Sequence, residues 1–138
     1  DSWFVHSFAA GYVSAEAPDS VFLGPLQREG ADCVFFGHSH IPFVRRFGAR
    51  FAANVGSVGQ PRDGDPCASC ILLSERGPEI RRIAYDVEAA VRALDGLPLP
   101  AEWRTLWGDF CRQGVVDGSR VKRLEDRYAI EAAVESTN

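Results

Sequence analysis

The stretch Ala31-Asp32-Cys33-Val34-Phe35-Phe36-Gly37-His38-Ser39-His40 decides how the rest of the chain is read. Ala31–Phe36 reads as a strand, apolar through Cys33-Val34-Phe35-Phe36, and an unbroken apolar run of this length suits a strand buried on both faces. It passes without a linker into the polar loop Gly37–His40. Ligands and catalytic groups are often displayed directly after such strands. Two histidines one residue apart can aim their imidazoles at neighbouring points, and a pair of metal ions about 3.5–4 Å apart needs that reach. Gly37 lets the backbone pass close to such a site. Taken alone, His-x-His reads more readily as a solvated polar loop with two ordinary histidines.

Working outward, Ser2–His6 is a short apolar run ending in polar residues, which suits a first buried strand with His6 at its end. A lone His there is as consistent with a structural hydrogen bond as with a ligand. It gains weight if this strand lies beside the one before His38, as consecutive parallel strands commonly do. Residues 7–19 read as loop. Asp19 or Ser20 is expected to cap a helix running to Arg28, with Val21, Phe22 and Leu26 on its apolar side and Gly30 stopping it. Phe43–Phe47 and Arg50–Val55 form an expected hairpin around Gly48-Ala49. Ser69–Ser74 and Glu79–Tyr85 form a second, turned by Gly77-Pro78. Asp86 is an N-cap for Val87–Leu94, and Pro98 and Pro100 mark a break. Trp103, Leu106, Trp107 and Phe110 recur at helical spacing in Ala101–Arg112. Val121–Val134 reads as a further helix and Glu135–Asn138 as a frayed end. Strands alternating with helices indicate an α/β class.

Composition sets the outer limits. The chain has 138 residues, one domain's worth. With 15 Lys and Arg against 19 Asp and Glu, its formal net charge is −4. A binder of phosphate backbones normally carries a basic face, so general nucleic-acid binding is not expected. No apolar stretch is long enough to span a bilayer, and nothing at the N-terminus has the layout of a signal peptide, so no membrane partner is expected. The four cysteines, Cys33, Cys67, Cys70 and Cys111, are too sparse for a disulfide scaffold and read as reduced thiols of a cytoplasmic protein. The chain has no Met and opens on Asp1 just before an apolar run, so the expectation is a piece of a longer chain or a processed product.

A second polar loop follows the first hairpin: Asn54-Val55-Gly56-Ser57-Val58-Gly59-Gln60-Pro61-Arg62-Asp63-Gly64. Its glycines allow tight turns, and its N–H groups and the Arg62 guanidinium suit a phosphate. A glycine-rich turn with no ligand would look the same.

The order of strand–His, helix, strand–Gly-His-Ser-His, hairpin and Asn-Val-Gly-Ser-Val-Gly-Gln-Pro-Arg-Asp-Gly-Asp-Pro resembles the C-terminal half of the calcineurin-like metallophosphoesterases. The likeness is closest to their small bacterial and archaeal phosphodiesterase branch. It runs from about Trp3 to about Arg112, and its most specific parts are Gly37–His40 and Asn54–Pro66. It implies part of a four-layer α/β/β/α sandwich over residues 1–115, with residues 116–138 a charged C-terminal extension. It implies two divalent ions, manganese first and iron, zinc, cobalt or nickel as alternatives. His38 would ligate one ion, His40 the other, and His6 would share an ion with His38. Asn54, Gly56, Ser57 and Arg62 would line the substrate side. The implied activity is hydrolysis of phosphodiesters or phosphomonoesters by a hydroxide held between the ions.

The sequence also departs from that pattern. Ser7 stands where the family has Gly after the strand-end His, and Val55 where it has Pro. The family's Asp-x-His, Gly-Asp and Gly-Asn-His motifs, which supply the bridging Asp, further ligands and the acid His, have no counterpart. Gly64-Asp65 and Gly108-Asp109 fall elsewhere. Three neutral imidazoles cannot offset the four positive charges of two divalent ions; carboxylates do that. The catalytic acid is therefore unassigned, and a missing N-terminal half or self-association is expected. Two other readings stand beside this one. The chain could be an inactive relative serving as an interaction domain. Alternatively, Cys67 and Cys70 could join His38 and His40 in a structural zinc module.

Overall fold

The computed structural model describes residues 3–5 and 12–135, with side chains from 12 to 129. β1 (Trp3–Val5), β2 (Cys33–Phe36), β3 (Phe43–Phe47) and β4 (Arg50–Asn54) form one sheet in the order β1-β2-β4-β3. β2 is parallel to both its neighbours, and β3 turns back antiparallel on β4. In the β2–β4 register Phe36 faces Asn54. Both strands therefore end at the same edge, and the two polar loops leave the sheet side by side.

Alternation along the strands sorts the core. Val34, Phe36 and Ala52 point to the side covered by α1 (Asp19–Arg28), where Phe22 and Leu26 are fully buried. Phe22 meets Phe36 and Phe43 edge-on at centroid distances of 5.7 and 5.8 Å. Removing a ring packed this way costs about 3–5 kcal/mol. On the other face Phe35 meets Phe51 at 5.8 Å.

α1 starts differently from the expectation. Pro18 occupies the N-cap and makes no side-chain cap bond. Proline's fixed φ supplies the entry geometry instead. Asp19 is the first helical residue, and its carboxylate is taken by Arg45 of β3. Gly30, at φ +62°, ends the segment as read from the sequence.

β5 (Ala68–Ser74) and β6 (Gly77–Ile83) form a separate antiparallel hairpin. Its turn is Glu75-Arg76, two residues earlier than Gly77-Pro78, because Ser74 pairs with Gly77 and the Ser74 hydroxyl accepts the Arg76 N–H at 3.2 Å. Tyr85 lies beyond the strand. Asp86 caps α2 (Val87–Ala93), its carboxylate accepting the Ala89 N–H at 2.8 Å. A single 3-10 turn, Leu94–Gly96, leads through the proline break to α3 (Ala101–Gln113), which buries Leu106 and Phe110. Gly114 closes α3 in the left-handed region, and its carbonyl accepts the Gly64 N–H at 2.9 Å. That bond ties the second polar loop to the end of α3.

α4 (Gly118–Glu135) docks on α3 by polar contacts. Arg120 pairs with Asp109 at 2.9 Å, and Glu102 accepts from Arg127 at 2.8 Å and from the Tyr128 hydroxyl at 3.1 Å. Among the described residues no helix is long and apolar enough to cross a membrane.

Candidate metal centre

His38 and His40 sit on the loop after β2, and both adopt positive φ, 74° and 60°. Left-handed backbone costs a non-glycine residue roughly 1–2 kcal/mol, so two such residues in one tripeptide need bracing. Asn54 provides it. Its side chain is 0% exposed, and its Nδ2 donates to the Gly37 carbonyl at 3.1 Å and to Ser39 Oγ at 2.9 Å. Its Oδ1 accepts the Gly56 N–H at 2.9 Å. One buried amide thus locks the histidine loop to the start of the second loop. Asn54 lies behind the loop surface with its polar atoms engaged.

The histidines themselves are held from two sides. His40 Nδ1 lies 2.8 Å from the Gln60 carbonyl oxygen. A carbonyl can only accept, so Nδ1 carries the proton and Nε2 keeps a free lone pair. That is how metal-ligating imidazoles are commonly oriented. His38 is exposed and stacks on Tyr12, with ring centroids 4.7 Å apart and planes inclined by 17°. The Tyr12 hydroxyl in turn accepts from Arg62 Nη1 at 3.2 Å.

The second loop is shaped by close approaches. Gly56 has φ +76°, and a Cβ there would lie 2.8 Å from both Cβ and Oγ of Ser69. The Ser57 hydroxyl accepts the Gln60 N–H at 3.0 Å, and its carbonyl accepts the Ser69 N–H at 2.9 Å. Ser57 therefore sets the turn that delivers the Gln60 carbonyl to His40. Arg62 also donates to the Gln60 side chain at 3.4 Å, while its Nε is buried with no acceptor.

The donor chemistry suits a borderline divalent ion, since neutral imidazoles favour iron, nickel and zinc, while manganese would need added carboxylates. Among the described residues, however, no three His, Cys, Asp or Glu side chains converge on one point. His6 and Ser7 lie outside the described residues. Cys67 and Cys70 do not assemble with His38 and His40 into a zinc set. Cys67, Cys70 and Cys111 are free thiols, and a hydrogen bond with Asp65 pushes the Cys67 thiol above the usual range.

Residues 4–77 match the family model of the calcineurin-like phosphoesterase superfamily domain, and this span holds both loops. The chain belongs to that superfamily. As a calcineurin-like phosphoesterase it has relatives of two kinds. An uncharacterised protein of Methanocaldococcus jannaschii is 37% identical over 89 residues, covering 52% of this chain and 36% of its own length. The crystal structure of a metallophosphoesterase from Sphaerobacter thermophilus is similar in fold, with a TM-score of 0.58 at 20% identity, over 83% of this chain and 56% of that one. The chain thus spans about a third of the curated relative and little more than half of the solved structure. The two-sheet, mixed α/β arrangement is the part of a metallophosphoesterase fold that these residues build. The superfamily generally hydrolyses phosphate esters and typically binds divalent metals.

The sequence did not point to Tyr12 or Gln60. Tyr12 lies in a segment that reads only as loop, and nothing in the pattern of that segment sets it apart. Gln60 acts through its backbone carbonyl, which no residue type encodes.

Proposed function

We propose that this chain supplies the C-terminal part of a divalent-metal phosphoesterase site. His38 and His40 would hold the ions with His6 as a third ligand, and the loop from Asn54 to Arg62 would form the substrate side. The observation that carries this reading is the 2.8 Å contact from His40 Nδ1 to the Gln60 carbonyl, which presents Nε2 as a donor. When bound, the ions supply Lewis acidity toward phosphoryl oxygens and make water a nucleophile near neutral pH. The chain's own residues do the rest. Asn54 fixes the loop conformation, the Gln60 carbonyl fixes the His40 tautomer, and Arg62 presents cationic charge to the phosphate.

Manganese is the first choice of metal, and phosphodiesters and phosphomonoesters are the substrate class. The carboxylates needed for charge balance would come from a segment like those of the longer relatives, or from a second copy of the chain. Free thiols at Cys67, Cys70 and Cys111 support a cytoplasmic setting.

The test is metal content of the intact protein after loading with Mn²⁺ and desalting, alongside hydrolysis of bis(p-nitrophenyl) phosphate and p-nitrophenyl phosphate. Retained metal, turnover, and loss of both in His38→Ala and His40→Ala are expected. Turnover that survives both substitutions would overturn the assignment. Metal-free protein with no turnover would favour the inactive interaction domain, a reading that gains from the lack of three convergent ligands among the described residues.

A further inference from the structure

Beside the histidine loop lies a cleft of about 450 Å³, within the range that holds small organic ligands. Tyr12, Ile41, Phe43 and Val116 give it apolar walls, and Ser39 and Arg62 give it polar ones. Tyr12 joins this cleft to the candidate metal site. Its ring lies against His38 at 4.7 Å and its hydroxyl accepts from Arg62, yet the residue remains 63% exposed. A large aromatic surface is therefore left facing outward next to a ligand imidazole.

Arg62 is the second observation. Arg45, Arg82, Arg112, Arg120 and Arg127 are each matched to a carboxylate. Among the described residues no carboxylate pairs with Arg62. Glu16, the acid that borders the cleft, is exposed and forms no ion pair with it. A guanidinium without a counter-charge, in a chain of net charge −4, is a natural partner for an anion. Val116 belongs to the linker between α3 and α4, beyond the family-matched residues 4–77, so one wall comes from outside the matched region.

We infer that this cleft is the subsite for an aromatic group esterified to the phosphate, stacked on Tyr12 while Arg62 contacts a phosphoryl oxygen. The inference rests on the phosphoester reading above and adds to it the class of substrate. Aromatic stacking in an apolar-walled cleft favours a planar ligand over an aliphatic one by roughly tenfold. Aryl phosphates and nucleotides share this chemistry.

Binding of non-hydrolysable phosphonates tests it without relying on turnover. Phenylphosphonate, methylphosphonate and inorganic phosphate are titrated calorimetrically into the intact protein. Phenylphosphonate should bind roughly tenfold more tightly than methylphosphonate. Tyr12→Ala should erase that preference, and Tyr12→Trp should keep it. Arg62→Ala should weaken all three anions. Val116→Trp, which narrows the cleft, should weaken phenylphosphonate more than methylphosphonate. Equal binding of the two phosphonates, or a preference that survives Tyr12→Ala, overturns this inference and leaves the phosphoesterase reading standing. Failure of all three anions to bind overturns both. A preference confirmed with phenylphosphonate is then compared between adenosine monophosphate and phenyl phosphate, to separate a nucleotide from a simple aryl ester.

Discussion

Asn54→Ala is the perturbation that most directly tests how the site is built. The wild-type side chain is fully buried and makes three hydrogen bonds, to the Gly37 carbonyl, Ser39 Oγ and the Gly56 N–H. The loss is uneven among those partners. The Gly37 carbonyl still accepts the Ser39 N–H at 2.9 Å, and Ser39 Oγ still accepts from Ile41 at 3.4 Å. The Gly56 N–H is the group most exposed to the change. The two bonds from Nδ2 at about 1 kcal/mol each, with the half-buried Gly56 N–H left unmatched at roughly 1–3 kcal/mol, give a destabilisation of about 3–5 kcal/mol. Water entering the vacated polar space would bring the value toward the lower figure. Against a total stability of about 5–15 kcal/mol, this is a third or more of the margin at the upper figure of the loss, and close to all of it for a protein at the lower end.

Urea unfolding measures that loss, and calorimetric titration of Mn²⁺ or Zn²⁺ measures its consequence at His38 and His40. Removing a residue that orients ligands typically lowers metal affinity by about 10–100-fold. The near-isosteric Asn54→Asp separates shape from hydrogen bonding. It keeps an acceptor for the Gly56 N–H but sets a carboxylate oxygen against the Gly37 carbonyl. Only the protonated acid could donate there, so its folded pKa should rise. By linkage, the stabilising share is present below the unfolded pKa near 4 and is lost as pH rises through the folded value. This variant should therefore be closer to wild type at acid pH than at neutral pH. An Asn54→Ala variant within about 1 kcal/mol of wild type, or an Asn54→Asp variant matching wild type at neutral pH, would refute the bracing role.

Three further outcomes are expected. Gly56→Ala should cost about 2–4 kcal/mol in thermal unfolding, because it adds a Cβ 2.8 Å from Ser69 at a positive φ. Arg45→Ala should speed amide exchange across residues 13–18 and cost about 1–2 kcal/mol, since Arg45 donates to the Ala15 and Ala17 carbonyls, pairs with Asp19 and lies over the Phe22 ring at 5.0 Å. Glu88 is held below the usual glutamate range by its two-point contact with the Arg112 guanidinium. Its carboxyl resonance should thus titrate at lower pH than an ordinary glutamate and return upward in Arg112→Ala. The stability it adds is present above the unfolded glutamate pKa and fades as pH falls through the folded value.

Elements whose pattern is local were legible in the sequence. Cys33–Phe36 read as a buried strand because four apolar residues ended on a glycine, and the hairpin across Gly48-Ala49 followed from alternation and its turn. Asp86 capped α2 as read, since an N-cap needs only the chain beside it. The misreadings have two origins, one distant and one local. Asp19 looked like a cap, but Arg45, twenty-six residues away, claimed its carboxylate. The second hairpin turned at Glu75-Arg76 because the Ser74 hydroxyl favoured that register, against the local appeal of Gly77-Pro78.

The site divides along the same line. His38 and His40 were legible as residue types, but what makes them ligand-like was not. That quality comes from the Gln60 carbonyl, the Asn54 amide and the Tyr12 ring, which reach the loop from 20, 15 and 26 residues away in sequence. Asn54 was singled out for the substrate side because its loop resembles one that lies beside the metals. Its buried amide also braces the loop of the two left-handed histidines, donating to the Gly37 carbonyl and to Ser39 Oγ. Hydrogen bonds within the chain, between the ends of β2 and β4, fix the loop that carries the two histidines. Imidazoles held this way would meet an incoming metal already oriented, so the deficit of the described site lies in charge, and carboxylates brought from elsewhere would complete it.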